Sequence, residues 1–334
     1  MIGISQAVEA PPISDEDSPR FKLPSIVALT DFLSVPIELP EVLVADLIRK
    51  DSVIMFTSGS KSYKTWMLLH LALCVSQGEP WFGRTVTKGR VLFLNFELSP
   101  AELQSRLKAI AMTMGLGDDI ANFDICNLRG HATDIAKLMP EIIKKCEGKS
   151  YAMIIPDPIY CMMGERNENA ANEMADFLNH VSVLSERTGA AVIYTHHFAK
   201  GNAAKKEPID RASGSGVFAR HADGIVALTP HKEDNAFVVE AELRSFKRPA
   251  PFVIRWRYPT MELAGELDPT QLKKRSGRTR MFDVQQILDC LIEEGLTAGE
   301  GIVKSAGARK TAPKFRPDCH RLCGMHGAPS RSID

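Results

Sequence analysis

Residues 54–66 read IMFTSGSKSYKTW. An apolar run of β-forming residues gives way to a loop of small ones, Ser58, Gly59, Ser60, Lys61 and Ser62. Tyr63, Lys64 and Thr65 follow, and the stretch TWMLLHLALCV then continues to Val75. The first run predicts a buried strand. The last is apolar nearly all round and stops near Gly78, which predicts a helix packed against a sheet. A strand, a small-residue loop and a helix N-terminus in that order turn successive backbone N–H groups toward one point. The helix dipole favours an anion there.

The spacing approximates GxxxxGK[ST], in which a lysine reaches the outer phosphates of a nucleotide and a hydroxyl ligates Mg²⁺. Lys64 and Thr65 fill those positions, and Ser58 through Thr65 form the candidate binding loop. Two residues depart from the pattern. Ser58 stands where the first glycine belongs, and Tyr63 where the second does. The second is the more serious, since that position calls for the close backbone approach glycine allows. A plain Ser/Gly turn with an exposed Lys-Thr pair is the competing reading of this string.

Working outward, apolar runs rich in Val, Ile and Phe recur at 52–57, 90–96, 151–155, 190–195 and 223–229. Segments with helical spacing lie between several of them: 65–75, 100–114 behind Ser99 as N-cap, 133–146 and 167–187. Buried strands alternating with helices predict an α/β fold with a mostly parallel central sheet covered on both faces. Residues 237–245 and 252–258 read as late strands, antiparallel at the sheet edge. Trp66, Trp81 and Trp256 read as packing residues.

Ligands of open parallel sheets collect at the carboxyl ends of the strands. The run 91–96 ends in Glu97, and 153–156 ends in Asp157. Asp157 is placed to hold Mg²⁺ and Glu97 to polarise a nucleophilic water. Each alone also reads as a solvated strand-end acid. Pro156 is awkward in a strand because it removes a ladder donor. A further strand ends in His196-His197, suited to hydrogen-bond a terminal phosphate.

TSGSKSYKTW, GRVLFLNFELSPAELQSRL, DPIY, THHFAKG and DRASGSGVFARHADG follow one another in this chain. The ordered set resembles the RecA-fold, AAA-type ATPases of plasmids, phages and integrated elements, including RepA-type and DnaB-type hexameric helicases. The likeness spans roughly residues 35–260. It implies a RecA-like P-loop NTPase that binds ATP with Mg²⁺, and in that group the loop often lacks its second glycine. By position, Lys64 and Thr65 match the Walker A pair, Glu97 the catalytic glutamate, Asp157 the Walker B aspartate, and His196 or His197 the sensor. The resemblance further implies a hexameric ring working in DNA replication. Lys200, Lys205, Lys206 and Arg211 would touch single-stranded DNA, and Arg244, Lys247 or Arg248 would reach a neighbour's nucleotide. The absence of an evident primase or loading domain keeps a second reading open, a nucleotide-gated DNA-binding regulator that does not unwind. A degenerate, structural RecA fold is the third.

Composition sets the limits. Hydrophobic residues at 44% and charged residues at 25% exclude wholesale disorder. Lys plus Arg (41) equals Asp plus Glu (41), so any nucleic-acid contact must come from local patches. No apolar stretch approaches the roughly 20 residues that span a bilayer. The start lacks a basic-then-apolar signal, and seven scattered Cys suit a reducing cytosol. A soluble, cytoplasmic protein is expected. Residues 1–24 read as a flexible arm, 25–268 as the ATPase domain and 269–281 as a basic linker. Residues 282–334 read as a partial helix-turn-helix followed by a disordered tail. Cys319, His320, Cys323 and His326 have zinc-like spacing there, without the hydrophobic frame of a finger.

Overall fold

The computed structural model describes residues 25–59, 62–117, 119–131, 133–197 and 217–273. The expected arm, most of the basic linker, the partial helix-turn-helix and the Cys/His tail lie outside these residues, as do Ser60, Lys61 and the four cations of the expected DNA-contacting segment. Two compact units meet in sequence between Glu41 and Val42. Within the first, a short helix, α1 (Leu29–Ser34), buries none of its side chains.

The second unit is built on a nine-stranded sheet. Its first hairpin, β1 (Val42–Val44) and β2 (Ile48–Arg49), stands apart. The sheet strands in chain order are β3 (Val53–Ser58), β4 (Arg90–Asn95), β5 (Phe123–Asn127), β6 (Tyr151–Asp157), β7 (Ala191–His197) and β8 (Gly224–Pro230). β9 (Ala236–Leu243), β10 (Phe252–Arg257) and β11 (Thr260–Leu263) complete it. Spatial order is β11-β10-β9-β8-β3-β7-β6-β4-β5. From β8 to β5 every pairing is parallel, and β8 to β11 is antiparallel. This is a RecA-like P-loop α/β fold with antiparallel edge strands, as the apolar runs predict.

Strand alternation divides the core. Ile54 and Phe56 of β3 face one side, with α2 (Lys64–Gln77) and α3 (Pro100–Thr113). Val53 and Met55 face the other, with α4 (Ile135–Cys146) and α5 (Ala171–Thr188). α2 buries an unbroken run from Leu71 to Ser76, which explains its lack of a polar face. It ends at Gly78, whose φ of 80° places its N–H on the carbonyl of Cys74. Asp134 caps α4 by accepting from the N–H of Ala136 at 2.8 Å.

Two strands of the large sheet were not expected from sequence. β5 reads FDICN, half polar, because it is the outer strand and only partly covered. β11 is too short to leave a periodic signal. Pro156 does sit within β6, yet the pairing of β6 with β7 stops at Ile154↔Val192. The missing N–H falls where that ladder has already ended.

Candidate active site

Parallel register sets four chain segments side by side. Ser58 pairs with His197 and Leu228, and Asn95 with Asp157 and Asn127. The carboxyl ends of β3, β4, β6 and β7 therefore share one edge of the sheet. A cleft of about 550 Å³ opens there, and Lys64, Thr65, Glu97 and Asp157 all line it. The loop, the two acids and the helix start converge as the sequence predicts.

Lys64 opens α2. Its ammonium donates to the Ser58 hydroxyl (2.9 Å) and the Gly59 carbonyl (3.1 Å). Ser62 closes the same turn, bonding the hydroxyl of Ser58 and donating to the Gly59 carbonyl at 2.8 Å. Burial pushes the Lys64 ammonium down to about 8, against the opposing pull of Asp157 and Glu97. Tyr63 has φ 59° and ψ 25°, the left-handed conformation that glycine supplies in GxxxxGK[ST]. Its ring stacks on Trp256 of β10 and meets Phe237 of β9 edge-on. The antiparallel strands thus hold in place a backbone that tyrosine alone disfavours.

Asp157 is buried. One carboxylate oxygen accepts from the Thr65 hydroxyl and the other from the Thr195 hydroxyl, each at 2.7 Å. Burial raises its pKa, and these hydrogen bonds with the nearby charges of Lys64 and Arg106 oppose the rise. A carboxylate and a hydroxyl side by side, open to the cleft, fit Mg²⁺, which takes few protein ligands and shares substrate phosphates. Among the described residues no group of three or more His, Cys, Asp or Glu is gathered for a metal, and this binding mode needs none.

Glu97 is exposed at the cleft, carried on a turn that Asn95 fixes. The Asn95 amide donates to the carbonyl of Leu98 (2.8 Å) and to Asn127 (2.9 Å), and accepts from the N–H of Leu98 (3.0 Å). Every polar atom of this buried side chain serves the turn.

The histidines separate. His197 pairs backbone-to-backbone register with Ser58. His196 points away from the main cleft, 3.4 Å from Glu168 and against the ring of Phe218. Alternation along β7 gives the cleft position to Thr195 instead.

Arg244, Lys247 and Arg248 lie elsewhere. Leu243 pairs with Gly224 at the start of β8, so these residues follow at the opposite edge of the sheet from Ser58. Arg244 bonds Asp223 (3.3 Å) and the carbonyl of Arg220, and Arg248 bonds Glu242 (2.6 Å). The cleft of the same chain lies at the other edge of the sheet.

A family model described as an AAA domain matches residues 17–203. That span exceeds half of the chain and runs from before the loop through β7 and beyond. The chain belongs to the AAA domain family. It is an AAA-type ATPase domain of the P-loop class, for which nucleotide binding is implied. No curated protein matches it. No described helix is long and apolar enough to cross a membrane.

Three lining residues of this AAA domain carried no sequence signal. Thr195 looked like one more strand residue. Arg106 pairs with Glu102 one helical turn away and lies over the Trp66 ring at 4.9 Å, so in sequence it passes for a surface ion pair. Tyr160 follows Pro158 in a 3-10 turn, Ile159–Met162.

Proposed function

We propose that this AAA domain is the ATP-hydrolysing motor of a replicative-helicase-type protein from a plasmid, phage or integrated element, acting on single-stranded DNA as a hexameric ring. The carrying observation is the convergence of Lys64, Thr65, Glu97 and Asp157 on one cleft. Lys64 neutralises charge on the outer phosphates, and Glu97 orients and deprotonates the water that attacks the terminal phosphorus in line. Thr65 and Asp157 would hold Mg²⁺, which would supply charge neutralisation to the phosphate groups. Arg244, Lys247 and Arg248 face away from this cleft, so a part in the chemistry needs a second copy.

A nucleotide-gated regulator that binds DNA without unwinding it is favoured by one feature. Lys64 bonds oxygens of its own loop, and nucleotide must exchange those bonds, which ties loop geometry to occupancy. Hydrolysis measured with and without single-stranded DNA, in the wild type and Glu97→Gln, tests the first reading. Stimulation by DNA that vanishes in the variant is expected. Wild-type turnover in Lys64→Ala would end both readings, and strand displacement on forked DNA separates them.

A further inference from the structure

Tyr160 is left 53% exposed on a turn whose packing is done by its neighbours. In the 3-10 turn Ile159–Met162, Ile159 and Met162 are fully buried, and Met163 just beyond is buried too. These three side chains seat the turn on the core shared with α4 and α5. Tyr160 lines the cleft instead, together with Lys64, Glu97 and Asp157. A large aromatic side chain with no packing task, set among the groups of a reaction, is a candidate for a part in it.

Its position is fixed from both ends. The turn follows directly on Asp157 and Pro158, and the N–H of Cys161 donates to the carbonyl of Pro158 at 3.3 Å. Downstream, the N–H of Met163 donates to the Tyr160 carbonyl at 3.1 Å. Arg166 then ties the same stretch to Asp134, the cap of α4, and to Asp176 of α5 at 2.9 Å. A donor held this way needs no reorganisation at the moment of reaction, which is what makes it effective. The chemistry suits the place as well. A phenol is a neutral donor. Burial, then the Cys161 thiol and the Glu97 carboxylate, push its pKa above the ordinary value, and Asp157 adds to the rise, so the proton stays on oxygen. The phenol shares a hydrogen bond with the Cys161 thiol, a weak sulfur partner that a charged phosphate oxygen displaces.

We infer that Tyr160 is a further catalytic residue, its hydroxyl donating a hydrogen bond to the terminal phosphate as negative charge develops there. This rests on the proposed hydrolysis. In that reading Glu97 stands by the attacking water and Asp157 by the phosphates, and a donor beside both acids faces the phosphorus between them. Glu97 accepts the proton of the water and Tyr160 keeps its own. The bond from water oxygen to terminal phosphorus forms as the bond to the bridging oxygen breaks, and ADP leaves with that electron pair. A donor that strengthens toward the transition state raises kcat and leaves ground-state binding alone.

Tyr160→Phe removes the hydroxyl and keeps the ring, and the full chain tests it with two readouts. Calorimetric titration with Mg²⁺ compares ADP alone with ADP plus aluminium fluoride, which mimics the phosphoryl group in flight. Steady-state assays give kcat and KM for ATP. In the variant, kcat and affinity for the fluoride complex should each fall about tenfold or more, while KM and ADP affinity hold. Unchanged kcat and fluoride-complex affinity would overturn the inference. So would an equal loss of affinity for ADP, which would make the hydroxyl a ground-state contact only. A wild type that shows no turnover and binds the fluoride complex no tighter than ADP removes the proposed hydrolysis and this inference with it. A wild type that passes both, matched by the variant, removes Tyr160 alone.

Discussion

Tyr63 holds a left-handed backbone while its ring lies flat on Trp256, centroids 4.2 Å apart and planes within 9°. The two residues are 193 positions apart, and the stack joins the phosphate loop to the antiparallel end of the sheet. Left-handed backbone costs a β-carbon residue about 1–2 kcal/mol, and a good aromatic pair returns about 0.5–1.5 kcal/mol beyond area burial. The loop keeps the shape its glycine would give by drawing on a different part of the fold.

That balance predicts an unusual order of stabilities. Tyr63→Ala loses the ring and keeps the strain, a cost of about 2 kcal/mol, below that of a fully buried aromatic because the ring is only partly covered. Tyr63→Gly loses the ring and is relieved of the strain, so it should unfold at higher urea than the alanine variant, by about 1 kcal/mol. The reverse order would mean that this backbone is not strained.

Lys64 predicts a pH dependence. Its folded pKa is about 8 against an ordinary 10.5. Between those values the unfolded chain binds a proton here that the folded chain has released, so this residue's contribution to stability rises with pH across that window. A triphosphate favours the charged ammonium and reverses the effect. Binding of ATP near pH 8.5 should therefore take up a proton, seen as a buffer-dependent calorimetric heat, and affinity should weaken as pH rises above about 8. A heat independent of buffer ionisation would contradict this.

Thr195→Val removes a hydroxyl that donates to Asp157 and leaves the strand's shape intact. Apparent Mg²⁺ affinity should fall about 10- to 100-fold, the usual effect of losing a ligand's orienting partner. Titration of hydrolysis with Mg²⁺ reads this directly. An unchanged midpoint would show that Thr195 only packs.

Asn95→Ala should lower kcat with little change in KM, because the turn carrying Glu97 loses both side-chain bonds to Leu98 while the phosphate loop is untouched. A reduction of about tenfold or more is expected in steady-state assays. A rise in KM alone would place the turn in binding instead.

Much of the sheet was legible because its inner strands are buried on both faces and leave unbroken apolar runs. β5 and β11 were not, since an outer strand and a four-residue strand leave no such run. Glu97 and Asp157 were found because strand ends are visible in sequence. Thr195 was not, because its role depends on β6 and β7 separating beyond Ile154 and on which face of β7 meets the gap. The tyrosine at position 63 looked like a defect for a related reason. Its partner lies on a strand nearly two hundred residues later, and no local pattern links the two.

Adjacent residues on β7 contact different things: Thr195 grips the acid of the cleft, and His196 rests on Phe218 at 4.1 Å. The end of β7 is thus braced on both faces, by a carboxylate on one and by an aromatic ring on the other. A pull exerted on Asp157 would pass through Thr195 and be felt at Phe218 one residue along, so the cleft and the far side of the sheet are mechanically joined at that point.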